Sequence, residues 1–157
     1  MENKPVKRSK YIMELSRDHH LGLLFCWKIK EGVKRNIEPR RIKKYVDYFW
    51  EHHLKAHFGE EETLLFNRID DPLCSQAKTE HQLLINRLNE LNTERHEYVG
   101  FAELLIKHIR FEEREVFPHL ETALSLTILE GAYAFLSQQH SAPFKDVYPD
   151  EFWVHKK

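Results

Sequence analysis

The sequence predicts an all-α fold. The expected architecture is an antiparallel, up-down-up-down four-helix bundle over residues 9–122, with a helical or irregular C-terminal extension over 123–157 packed on it. Three observations predict this. Apolar residues recur at steps of three and four along four long stretches, as one buried helix face requires. Short turn signals separate those stretches, which favours antiparallel neighbours. Only five glycines and six prolines occur in 157 residues, too few for the frequent turns of a β-sandwich.

The first helix is expected from about Ser9 to Glu31, with Ile12, Leu15, His19, Leu23 and Cys26 on one face and a break from Gly32 to Asn36. Pro39 suits the first turn of a second helix, where its missing N–H costs nothing. That helix is expected to reach Arg68, aligning Ile42, Val46, Phe49, His53, His57, Glu61 and Leu64 or Leu65. Asp70-Asp71-Pro72 reads as a stop, a cap and a first-turn proline. A third helix then carries Ala77, His81, Leu84, Leu88 and Leu91 up to a turn at Asn92-Thr93. The fourth tolerates Gly100 early, aligns Phe101, Leu104, His108, Glu112 and Glu115, and is expected to taper at Phe117-Pro118. A weaker apolar segment runs from about Leu124 to Leu136. The tail from Ser141 reads as irregular, with Phe144, Tyr148, Phe152 and Trp153 packing down.

Composition bounds the function. The length fits one domain. Lys plus Arg is 24 and Asp plus Glu is 25, a balance that argues against a nucleic-acid partner. The apolar runs are too short to span a membrane. The basic segment Met1 to Lys10 lacks the apolar core of a secretory signal. Cys26 and Cys74 form neither a CxxC pair nor a disulfide framework, so a cytoplasmic location is the default expectation. The basic cluster Lys28, Lys30, Lys34, Arg35, Arg40, Arg41, Lys43 and Lys44 reads as a solvated end of the bundle.

The odd feature is eleven histidines, several of them inside the apolar stripes beside glutamates. Charged groups are almost never buried unless paired, and an isolated buried carboxylate would neutralise itself. Glu61 lies four residues after His57, and Glu112 four after His108, which puts each pair on one helical face. A divalent or trivalent cation would offset the desolvation and bind both groups. Turn geometry supports convergence. Residue 38, beside Pro39, is equidistant from His19 and His57. Residue 71 is equidistant from Glu61 and His81, and the midpoint of His81 and His108 falls close to Asn92-Thr93. His19, His57, Glu61, His81 and His108 therefore share one level, with Glu112 one turn away. Imidazole and carboxylate without thiolate suit iron, manganese or zinc. Six donors exceed one tetrahedral zinc, and two glutamates can bridge two metals.

These residues resemble the hemerythrin-like, HHE cation-binding family. The matching pieces are Asp18-His19-His20, His57-Phe58-Gly59-Glu60-Glu61 with Leu65-Phe66, Glu80-His81, and His108-Ile109-Arg110-Phe111-Glu112-Glu113 with Val116-Phe117-Pro118. The resemblance covers about residues 10 to 120. It implies a four-helix bundle holding two iron ions with an oxo or hydroxo bridge, with zinc or manganese as other occupants. By this carry-over His19, His57, His81 and His108 are terminal ligands, and Glu61 and Glu112 are bridges. The chain departs from the oxygen-carrying members in three places. Ile85 stands where they have a second third-helix histidine, Glu112 replaces an aspartate one residue further on, and Asn67 stands where proline is frequent. His53, one turn before His57, and His20 are the other candidate histidines. His52, His96, His119, His140 and His155 read as surface residues, and Glu60, Glu62, Glu113 and Glu115 as solvated. One of those glutamates has the option of bonding a ligand histidine. Tyr45, Tyr48, Trp27 and Trp50 are expected near the apolar faces.

The function expected from this is metal binding, with a small diatomic ligand such as dioxygen or nitric oxide, for sensing, carriage or iron handling. The alternatives are a di-iron enzyme acting on peroxide or nitric oxide, and a metal-free helical module whose residues 124–153 bind a partner or form a homodimer.

Overall fold

The computed structural model describes residues 8–154. The basic segment's first residues and His155 lie outside them. Every regular element among the described residues is helical: α1 (Met13–Lys34), α2 (Pro39–Phe49), α3 (Lys55–Leu64), α4 (Pro72–Glu90), α5 (Arg95–Phe111), α6 (Phe117–Ala123) and α7 (Leu126–Gln139). A π-turn at Trp50–Leu54 joins α2 to α3, and another at Glu112–Val116 joins α5 to α6, so each pair forms one rod.

Local chemistry explains most of the boundaries. Asp71 caps α4, its side chain accepting from the backbone N–H of Leu73 at 2.8 Å and of Cys74 at 3.4 Å, with Pro72 in the first turn. Ser125 caps α7 through the Ile128 N–H at 3.3 Å. Two expectations are corrected. Gly32 does not end α1; the helix runs on to Lys34 and turns at Asn36, whose φ of 58° is a conformation asparagine tolerates. A Cβ at Gly32 would lie 2.6 Å from Phe152 Cε1, so this glycine makes room for the tail. Nor does Pro118 taper the fourth helix. Its ring would clash with the carbonyl four residues back, that of Arg114, and the π-turn at Glu112–Val116 opens the ladder there so that the helix continues to Ala123.

Specific side-chain contacts link each rod to its neighbours. Along α1 and the segment before it, Arg8 meets Glu121, Ser16 meets Glu113, and Gly22 faces Ile109 of the α5–α6 rod. Between α1 and the α2–α3 rod, Gly32 faces Ile42, Phe25 stacks on Phe49 at 4.1 Å, and His19 meets His57. Asn67, in a 3-10 turn just after α3, meets Lys78 of α4, and Glu61 of α3 meets His81 of α4. Asp71 meets His119 and His81 meets His108 across α4 and the α5–α6 rod.

The interior has three layers. One apolar cluster gathers Phe25, Tyr45, Phe49, Tyr98 and Phe101 with Phe152 and Trp153 of the tail. A second gathers Ile12, Leu15, Leu65, Phe66, Phe117 and Leu120 with Leu129, Ala132 and Leu136 of α7. The buried polar layer of His19, His57, Glu61, His81, His108 and Glu112 lies on the helix segments between these two clusters. Trp27 departs from its expected place on an apolar face: it is half exposed. Lys28 departs from the solvated basic end, being buried against Asp146 at 2.9 Å.

Candidate metal centre

All six residues singled out by spacing are buried, and Glu61, His81 and Glu112 have no exposure at all. Their donor atoms form two sets, His19–His57–Glu61–Glu112 and Glu61–His81–His108–Glu112, each with all atoms within 4.8 Å of one another. Both sets contain both glutamates. Glu61 turns Oε2 to His19 at 3.4 Å and His57 at 3.2 Å, and Oε1 to His81 at 3.0 Å. Glu112 turns Oε1 to His19 at 3.0 Å, and Oε2 to His108 at 3.2 Å and His81 at 3.6 Å. Each carboxylate thus straddles the layer, with one oxygen toward each histidine pair.

Every histidine presents Nε2 inward and anchors Nδ1 on an outer carboxylate. His57 uses Asp18 at 3.0 Å, while His81 uses Glu62, His108 uses Glu80 and His19 uses Glu113, each at 2.7 Å. The anchors close a ring: α1 holds the histidine of α3, α3 that of α4, α4 that of α5, and the Glu112–Val116 turn that of α1. A carboxylate on the outer nitrogen fixes the tautomer and raises ligand basicity. Glu62 and Glu113 are therefore not free in solvent as expected, and Glu60 is half-buried against His140; Glu115 is exposed as expected. The sequence carried a signal for the ring: each inner donor pair is flanked by an acidic residue, as Asp18-His19, Glu61-Glu62, Glu80-His81 and Glu112-Glu113.

The other candidates fall outside both sets. His20 is exposed. His53 is buried and stacks on Phe144 at 4.9 Å, and its burial pushes the imidazole down to about 4. Cys26 packs in the first apolar cluster, where burial pushes its thiol up to about 12. The Tyr45 hydroxyl bonds Asp146 and the Tyr48 hydroxyl reaches the Val147 carbonyl at 3.3 Å, so neither bonds the centre. His119 and His140, expected on the surface, are half-buried and bonded to Asp71 and Glu60.

Electrostatics favour a cation. Two inner and four outer carboxylates outnumber the four imidazoles, even with Arg8 at Glu113 included. Glu61 Oε2, Glu112 Oε2 and His108 Nε2 are buried without a hydrogen-bond partner, and such atoms are costly unless something ligates them. These three atoms belong to the inner donor sets, whereas the other two partnerless buried atoms among the described residues, Arg8 Nε and Asp146 Oδ1, sit on groups already held by ion pairs, so the residues present fit a metal. Without an ion, burial alone would lower His57, but the charge of Glu61 and the bond to Asp18 outweigh it and raise the imidazole to about 9. Burial likewise opposes His81, which the nearby Glu112 carboxylate and its bonds to Glu61 and Glu62 hold at about 11. Burial would raise Glu112, but the charge of the neighbouring His108 imidazole and the bond with His19 hold it well below the usual carboxylate range. The sign for stability follows from linkage. Imidazoles raised on folding stabilise the metal-free protein fully below 6.5, and for His57 that contribution is lost as pH climbs to about 9. The melting temperature of chelator-stripped protein is accordingly expected to fall between pH 6.5 and 9, and a flat profile over that range would contradict these pairings.

The helices and this layer define a class, an all-helical protein whose buried imidazole–carboxylate groups could hold a metal. Residues 12–120 match the model of the hemerythrin HHE cation binding domain, most of the chain, and the protein belongs to that family. No curated protein and no solved structure matches the chain.

Proposed function

We propose that the chain is a non-haem di-iron protein of the hemerythrin-like type, which binds a small diatomic molecule such as dioxygen or nitric oxide for sensing, carriage or iron handling. The observation that carries this reading is the sharing of Glu61 and Glu112 by both donor sets. One ion would take His19 and His57, the other His81 and His108, with the two glutamates as bridges. Imidazole–carboxylate donors with open positions are the setting non-haem iron uses, and iron there supplies the redox-active centre to which a diatomic ligand can bind. The helix framework we read as an up-down-up-down antiparallel four-helix bundle, on the support of the opposed stepwise pairings of its rods.

The chain's own part is orientation and exclusion. The four outer carboxylates accept the Nδ1 protons and leave each Nε2 lone pair facing inward. Phe58 lies flat on His81 at 4.0 Å and Phe117 on His19 at 5.3 Å, fixing ring planes and keeping water from two imidazoles. The metal-free module is disfavoured by the orphaned oxygens of Glu61 and Glu112. The test is elemental analysis of purified full chain, then visible absorption of the iron-loaded form with and without dioxygen. Two irons per chain and an oxygen-sensitive charge-transfer band are expected. Retention of zinc alone, or no metal retained, overturns the reading.

A further inference from the structure

A second donor cluster lies outside the buried centre. Asp18, Glu60 and His140 each place one donor atom within 4.8 Å of the others. They line a cavity of about 340 Å³ with His53, His57 and Phe144. His140 comes from the end of α7, so α7 and the tail complete this wall. Three features distinguish it from a patch of surface acids. One donor is an imidazole, with Nε2 3.2 Å from Glu60 Oε1 and Nδ1 3.6 Å from Glu14. Asp18 is more than nine-tenths buried. Its Oδ2 is committed to His57, but Oδ1 has only His53 and His140 near it, each at 4.0 Å and beyond hydrogen-bond reach. That oxygen, flanked by two cavity-lining histidines, makes no hydrogen bond among the described residues and is free to ligate.

We propose that Asp18, Glu60 and His140 form a third, cavity-facing site for a divalent transition-metal ion, and that ions bound for the buried centre pass through it. This rests on the reading of the centre as a metal site. Mixed imidazole and carboxylate donors suit the same cations as the centre. Asp18 and Glu60 bring two carboxylates to a wall whose other titratable residues are His52, His53, His57 and His140; Glu14 lies 3.6 Å from His140 and is itself paired with Arg17, and carboxylates lining a cleft concentrate cations. The site abuts the centre: Asp18 bonds His57, and Glu60 precedes Glu61 in α3. The His19–His57 half is therefore the one an ion reaches first.

The test uses the full chain stripped of metal. It is mixed with cobalt(II) in a stopped-flow instrument, and filling of the buried centre is followed by its visible absorption. Glu60→Gln and His140→Gln are expected to fill about tenfold more slowly, the lower end of what charge focusing contributes, and to hold the same final number of ions in the centre. Glu60→Asp, which keeps the charge, is expected to retain the fast rate and so separates steering from a fold defect. Crystals soaked in cobalt(II) are expected to show an anomalous peak among the three side chains. Unchanged filling rates with no such peak overturn the entry site and leave the buried centre standing. A native chain that retains no cobalt anywhere overturns both.

Discussion

Glu112→Ala in the full chain is expected to abolish metal retention at both positions, whereas His108→Ala is expected to spare one. The difference comes from geometry. Glu112 gives Oε1 to the His19 side and Oε2 to the His81–His108 side, while His108 belongs to one donor set only. The same substitution strikes the metal-free fold. Glu112 lies within 3.6 Å of His19, His81 and His108, and its loss strips three buried imidazoles of a counter-charge. Removing one partner from a buried ionic group costs about 3–5 kcal/mol, a large share of a stability of about 5–15 kcal/mol. Glu112→Gln keeps the volume and removes the charge, so it tests ligation if the alanine variant does not fold. The measurement is metal per chain after a chelator challenge, with chemical denaturation of the stripped protein alongside. Equal metal loss in the Glu112 and His108 variants would show that the glutamate is not shared.

Much of the polar layer was legible because helical spacing and turn position are both written in the chain. His57 and Glu61, and His108 and Glu112, are locked together by a period of four. The turns at Pro39, Asp71-Pro72 and Asn92-Thr93 then fix which histidines meet them. What spacing could not supply was side-chain direction across helices. Glu62 and Glu113 sit next to inner donors and read as solvent-facing, yet each reaches a histidine of the neighbouring helix. The π-turns were equally hidden. At Glu112–Val116 the cause is Pro118, which reads as a helix end until packing forces the rod to continue. At Trp50–Leu54 the structure shows the turn, and we have no physical account of it. Lys28 was misplaced for a different reason. Its partner, Asp146, is 118 residues away in an irregular tail, where no periodic pattern marks the partner's position.

That tail is where the second large effect is expected. Asp146 is almost fully buried and accepts from Lys28 Nζ at 2.9 Å and from the Tyr45 hydroxyl. Lys28 is itself buried and lies 4.4 Å from the centre of the Trp153 ring. Asp146→Ala leaves an ammonium group in an aromatic pocket with only that ring and Tyr45 to stabilise it. A cation over an aromatic face contributes about 0.5–2 kcal/mol, less than the desolvation it must offset. The expected cost is about 3–5 kcal/mol in global unfolding by denaturant. Replacing both partners separates a charge clamp from simple packing. Lys28→Met with Asp146→Leu removes the stranded charge and is expected to recover most of the loss, because apolar substitutes for a buried ion pair are often neutral or better. Neither residue supplies a donor to the His–Glu layer, so metal content per folded chain is expected to stay at the native value in both variants. An Asp146→Ala variant as stable as the native chain would mean that this pair does not fasten the tail. A double variant no better than the single one would assign the loss to shape rather than to the unpaired lysine.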